Sequence, residues 1–204
     1  MSGAEYAWED TQQLFLAALA DPHAQVLRAA VSGLGHRPHP DALPRLLELA
    51  TRRDARLRWH VAVALGTYKE ALAAEALVEL MKDPDTAVRD WATFGLGSLH
   101  DADSPAIRTA LWQGLEDCDA DVRGEALIGL AERRDPGLVD YLLKHLGSDS
   151  RVYELDAAAM LADPRLLAPL QAIEDRLQAA ERKGYWFTCL QAAIGACQTG
   201  HAVS

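Results

Sequence analysis

A helical stripe that returns six times at nearly constant spacing limits what this chain can fold into more than any other feature. In its clearest copy, Val88, Ala92, Gly95 and Leu96 stand at i, i+4, i+7 and i+8, one face of a helix. Asp85 occupies the N-cap position with Pro84 just outside it, and Gly97 supplies the stop. Equivalent stretches run from Val26 to Leu34, Leu57 to Leu65, Val122 to Leu130, Val152 to Met160 and Trp186 to Ile194. Their last apolar positions, 34, 65, 96, 130, 160 and 194, lie 31, 31, 34, 30 and 34 residues apart. A period in that range with a helical stripe predicts stacked helix pairs, because one pair cannot bury its apolar face alone.

Between these inner helices the sequence predicts outer ones, over about 11–19, 42–50, 72–81, 105–115, 137–146 and a longer 166–182. Pro105 and Pro136 sit at or beside helix starts, where a missing N–H costs little. The tail 198–204 has nothing to bury and is expected to fray. The pattern Val88-Arg89-x-x-Ala92-x-x-x-Leu96-Gly97 resembles the HEAT-like repeat, of the type also found in phycobilin lyases. The resemblance implies an all-α, right-handed α-solenoid of about six antiparallel helix pairs. One domain over 1–204 is expected, with repeats near 11–35, 41–66, 71–97, 105–131, 137–161 and 165–197. Function does not follow from the repeat, which serves scaffolds, lyases, hydroxylases and DNA glycosylases alike.

Charge and motifs narrow the classes. The 204 residues carry 20 Lys and Arg against 30 Asp and Glu, a net charge of −10. That field opposes nucleic acid and anionic membranes and favours a basic protein partner. The first ten residues are acidic where a signal peptide would be basic, and no run of 18 apolar residues occurs. Cys118, Cys189 and Cys197 form no CxxC pair, so reduced thiols in a cytoplasm are the expectation. No HExxH, GxGxxG, P-loop or GxSxG is present. The His-Glu dyads that hold iron in the hydroxylase branch of HEAT-like enzymes are missing too. No catalytic, cofactor or metal residues are expected, and His36 and His39 read as part of a solvated turn.

Recurrent polar positions read as structural. His23, Asp54, Asp85, Asp119 and Asp149 precede each stripe by three residues, where caps belong. Arg58, Arg89 and Arg123, one residue into each stripe, are expected to reach an Asp of a neighbouring repeat. Positions three and six beyond each Val-type residue are left for the concave groove: Ala29, His60, Trp91, Glu125 and Leu155, then Ser32, Val63, Phe94, Ile128 and Ala158. From these the sequence points to a partner-binding set of His60, Val63, Trp91, Phe94, Glu125, Ile128 and Glu132. The reading is a non-enzymatic protein-protein interaction module with an acidic and aromatic groove, serving as adaptor, assembly factor or neutralising, immunity-type partner. The alternatives are that Trp91 and Phe94 fill the inter-repeat core, or that the groove holds a small ligand such as a tetrapyrrole in a phycobilin-lyase-like enzyme. A monomer is expected over a weak homodimer formed through the apolar end Tyr185–Leu190.

Overall fold

The computed structural model describes residues 3–200, with side chains from residue 11 onward, and every regular element in that span is helical. Backbone contacts group the chain into two compact units, Met1–Gly114 and Leu115–Ser204, so the boundary falls inside the fourth expected repeat.

In the first unit, α1 (Gly3–Ala18) and α2 (Ala24–His36) form one pair, α3 (Leu43–Leu49) and α4 (Ala55–Leu65) a second, and α5 (Ala71–Leu80) and α6 (Thr86–Phe94) a third. The outer helix α7 (Pro105–Gly114) packs against α5. The inner helices lie side by side, α4 touching both α2 and α6. Their predicted stripes form the core except at the start of α2, where Val26 is exposed: Leu34, Val61, Leu65, Val88, Ala92 and Leu96 are all fully buried. They meet Leu46 and Leu77 from the outer layer, also fully buried, which is why neither layer is stable alone.

The glycines at the ends of these stripes act by closeness. A Cβ on Gly66 would lie 3.1 Å from the Cα of Gly95, so α4 and α6 meet backbone to backbone there. A Cβ on Gly35 would lie 3.2 Å from the Cα of Ala64, and α2 meets α4 in the same way. Gly97 does not stop its helix as expected. The backbone widens into a π-helical turn over Gly95–Leu99 and ends at His100.

The second unit holds α8 (Ala120–Glu132), α9 (Leu138–His145), α10 (Val152–Leu161), α11 (Leu167–Arg176) and α12 (Tyr185–Thr199). Here α10 is central, packed against both α8 and α12. The unit departs from expectation in three places. First, α10 begins with Arg151 as its cap, its N–H held by Glu154 at 2.9 Å, and Asp149 stands two residues outside. Leu155 and Ala158, expected in the groove, are fully buried, since Leu155, Ala158 and Ala159 form the core stripe. Second, α11 stops at Arg176. Leu177 leaves the helical region at ψ 133, and the Glu181 carboxylate takes the Gln178 N–H at 2.8 Å, making a turn. Third, Gln198 and Thr199 of the expected loose tail finish α12, which Gly200 caps at φ 68, while 201–204 lie outside the described residues.

Three of the five expected caps bond as predicted. Asp54 accepts the Leu57 N–H, Asp85 those of Ala87 and Val88, and Asp119 those of Asp121 and Val122. His23 occupies the cap of α2 but gives it no side-chain bond; instead its own N–H and ring lean on Asp21.

Candidate functional site

The expected set falls into two groups, one in each unit. In the first unit, His60 and Val63 lie on α4 and Trp91 and Phe94 on α6, all partly exposed. What joins them is Trp59, which the sequence frame passed over because it precedes the expected position by one residue. Its ring meets Trp91 edge to face with centroids 5.7 Å apart, and Trp91 meets Phe94 in the same manner at 5.5 Å. On the other side Trp59 meets His60 at 4.7 Å. Edge-to-face pairs add about 0.5–1.5 kcal/mol each beyond their burial, so the four rings form a rigid row.

The titratable ring of the row is His60. Partial burial and the neighbouring Arg28 and Arg56 guanidinium groups hold His60 below the ordinary imidazole value, against a smaller pull upward from Asp54. The shift favours the neutral imidazole, and its Nδ1 lies 2.9 Å from the Ser32 hydroxyl of α2. The expectation that the inter-repeat core swallows the aromatics is met only in part: Ala92 and Leu96 are fully buried on the same helix, while Trp91 and Phe94 keep exposed surface.

In the second unit, Glu125, Ile128 and Glu132 lie along α8, with Asp121 one turn earlier. Glu132 is exposed and Glu125 and Ile128 are half-buried. Tyr153 of α10 donates its hydroxyl to Glu125 at 3.1 Å, and its ring covers Gly124, where a Cβ would collide with it. Arg151 reaches Asp121 at 3.3 Å. The α8 face is thus an acidic stripe interrupted by one isoleucine, partly ordered from α10. Burial raises the Asp156 carboxyl on α10, opposed by a hydrogen bond with Cys189.

Of the expected arginine ladder Arg58 forms a rung, and Arg28, which the sequence frame did not single out, adds one by linking α2 to Asp54 at 2.9 Å. Arg58 grips Asp83 with two bonds of 2.6 and 2.8 Å, and both side chains are nearly buried. Arg89 and Arg123 turn back to carbonyls that precede their own helices, those of Asp83 and Asp117. His39 holds a local turn, its Nδ1 accepting the Asp41 N–H while its N–H and C=O meet the Tyr68 hydroxyl. Among the described residues no group of three His, Cys, Asp or Glu side chains could hold a metal ion, and no helix is long and apolar enough to cross a membrane.

Repeated helix pairs with a shared inner-helix core define the α-solenoid class. Residues 12–97 match the family model described as HEAT repeats, and the chain is a HEAT-like repeat protein. It is similar to Protein YibA of Escherichia coli strain K12 and of strain O157:H7, 30% identical over 164 residues in each case. Those alignments take in 76% of this chain and 58% of the relatives, so the chain spans less than two thirds of their length. The X-ray structure of the Escherichia coli YibA protein superposes with a TM-score of 0.72 at 25% identity, covering 97% of this chain and 71% of that one. A designed armadillo repeat protein is similar in fold alone, with a TM-score of 0.59 at 16% identity over 91% of this chain and 98% of that one.

Proposed function

We propose that this protein is a non-enzymatic protein-binding module, and that the aromatic row of α4 and α6 takes the apolar anchor of a partner protein. One observation carries the reading: Trp59, Trp91 and Phe94 are locked edge to face yet remain partly exposed on the inner helices. Rigid aromatics with residual exposure lose little entropy on binding and gain the burial that a folded core would already have used. The acidic stripe of α8 and the net charge of −10 favour a basic partner and speed its arrival, whereas the row itself discriminates by shape. An adaptor, assembly factor or neutralising partner working in the cytoplasm without a cofactor fits this division of labour. His60, its charged form disfavoured and its Nδ1 within 2.9 Å of the Ser32 hydroxyl, extends the row of rings.

The test is to recover the partner from a lysate of the source cells and measure its kinetics on folded variants. Trp91→Ala weakens binding by about 2 kcal/mol, roughly thirtyfold, almost wholly through faster dissociation. Glu132→Gln slows association and flattens its salt dependence with little change in dissociation. A folded Trp91→Ala that binds as the wild type does refutes the inner-face assignment. A bound coloured ligand that survives purification refutes the protein-binding reading in favour of a small-molecule site.

A further inference from the structure

A second surface lies on the outer layer of the first unit, away from the inner-helix aromatic row. The outer helix α5 carries Ala71, Leu72, Ala76 and Val78 on or near its solvent side, and Leu72 is 55% exposed. A groove of about 580 Å³ flanks it toward α7, floored by Ala74, Val78, Ala106 and Ile107. A second groove of about 400 Å³ flanks it toward α3, with Leu47, Ala50, Leu72 and Ala76 in its walls. Glu75 and Glu79 line both. Two apolar troughs thus share one ridge, and the ridge bears two carboxylates one turn apart.

The carboxylates differ in what they already hold. Glu79 is taken by Lys82 at 2.8 Å, and Asp103 at the far wall by Arg108 at 2.8 and 2.6 Å. The Glu75 side chain makes no hydrogen bond or ion pair among the described residues. It stands exposed in the middle of the apolar surface. Covering it with an uncharged helix would strip its water without return, and an acidic segment would be repelled. A segment that places a cation against Glu75 and apolar side chains in both troughs gains on both counts. The ridge is 10 residues long, roughly 15 Å of helix, which matches a few turns of a helix laid alongside it.

We infer that the α5 ridge is a docking site for a cationic amphipathic helix of a partner protein, with a Lys or Arg meeting Glu75 and aliphatic side chains filling the two flanking grooves. Helix-in-groove docking of this kind reads apolar anchors at helical spacing and uses the charge to fix register. The site does not depend on the aromatic row, and neither proposal falls with the other.

The experiment uses the full chain and a fluorescein-labelled helical peptide of leucine and lysine, with a leucine and glutamate peptide of the same pattern as control, followed by fluorescence anisotropy at physiological ionic strength. The Leu/Lys peptide binds and the Leu/Glu peptide does not. Glu75→Lys weakens binding at least about tenfold, Glu75→Gln about threefold, and Asp175→Lys, the same charge change on the exposed surface of the second unit, less than twofold. Ala106→Trp, which fills the groove toward α7 without touching charge, also weakens it several-fold. Circular dichroism checks the fold of each variant, and Glu75→Gln, nearly isosteric, carries the test if Glu75→Lys does not fold. Equal losses for Glu75→Lys and Asp175→Lys would mean attraction to net charge only and overturn the site. Absence of Leu/Lys binding, or equal binding of both peptides, overturns it as well.

Discussion

Arg58 and Asp83 join the second and third helix pairs through two bonds between nearly buried side chains, 12% and 5% exposed. Asp83 also accepts the Asp85 N–H at 2.9 Å, and Arg58 donates to the Arg52 carbonyl at 2.7 Å, so each partner is ordered twice. Removing one charge leaves the other desolvated, which for buried pairs costs about 3–5 kcal/mol. Asp83→Asn keeps the shape and one acceptor but turns an amide N–H₂ toward a guanidinium, so about 3 kcal/mol is expected. Arg58→Met leaves the carboxylate with the Asp85 N–H as its remaining hydrogen bond among the described residues, and a similar loss follows. The double variant removes both charges, and its loss is smaller than the sum of the two single losses by about 2 kcal/mol or more. The assay is urea unfolding of all four proteins; with a slope near 2 kcal/mol/M, each single change moves the midpoint by roughly 1.5 M. Burial pushes the Asp83 carboxyl up, but the Arg58 bonds and the Asp85 N–H outweigh it and hold the group below its ordinary value. A depressed folded-state value means the contribution is complete above the unfolded carboxylate value near pH 4 and is lost as pH falls through the lower folded one. The gap between wild type and Asp83→Asn is therefore flat from pH 5 to 7 and closes in acid. Additivity of the two single changes to within about 0.5 kcal/mol, or a gap that widens below pH 4, refutes the clamp.

Two further outcomes test the packing. Leu96→Ala, at a fully buried stripe position, loses about 2–5 kcal/mol on urea unfolding, and a loss below about 1 kcal/mol would show that the repeat frame is misplaced. Gly124→Ala drives a methyl into the Tyr153 ring and costs about 1–3 kcal/mol, with the tyrosine fluorescence changing alongside; Gly195→Ala, where open space surrounds the Cβ position, does not destabilise.

The inner-helix cores of the second and third pairs were legible because burial there obeys one periodicity: Val88, Ala92 and Leu96 repeat what Leu57, Val61 and Leu65 do, whereas Val26, at the same place in the first pair, is exposed. Asp54, Asp85 and Asp119 were legible as caps because a short carboxylate at that point satisfies N–H groups wherever it occurs. Trp59 escaped because an indole spans more than one helical position, so a frame counted in single residues assigned the contact to its neighbour His60. Leu155 was misplaced because the alanines of α10 allow several stripes, and only packing against α8 and α12 chooses among them. The tyrosine that orients Glu125 sits 28 residues away, a distance no local pattern reports. The grooves beside α5 depend on how far apart outer helices sit, which the inner-helix period does not specify.

The backbone contact at Gly66 and Gly95 gives the aromatic row a mechanical property. Those glycines bring α4 and α6 into backbone contact near their C-terminal ends, and the indoles of Trp59 and Trp91 meet edge to face nearer the N-termini. The arrangement is a lever with its fulcrum at the glycines. Trp91 lies four residues from Gly95, an arm of roughly 6 Å, and Trp59 seven from Gly66, roughly 10 Å. A tilt of about 5° between the helices would shift the indole positions by only about 0.5–1 Å at the helix axis, and the Arg58–Asp83 pair at the same N-terminal side opposes it, so the row keeps its form while the core at Leu65 and Leu96, beside the fulcrum, stays still.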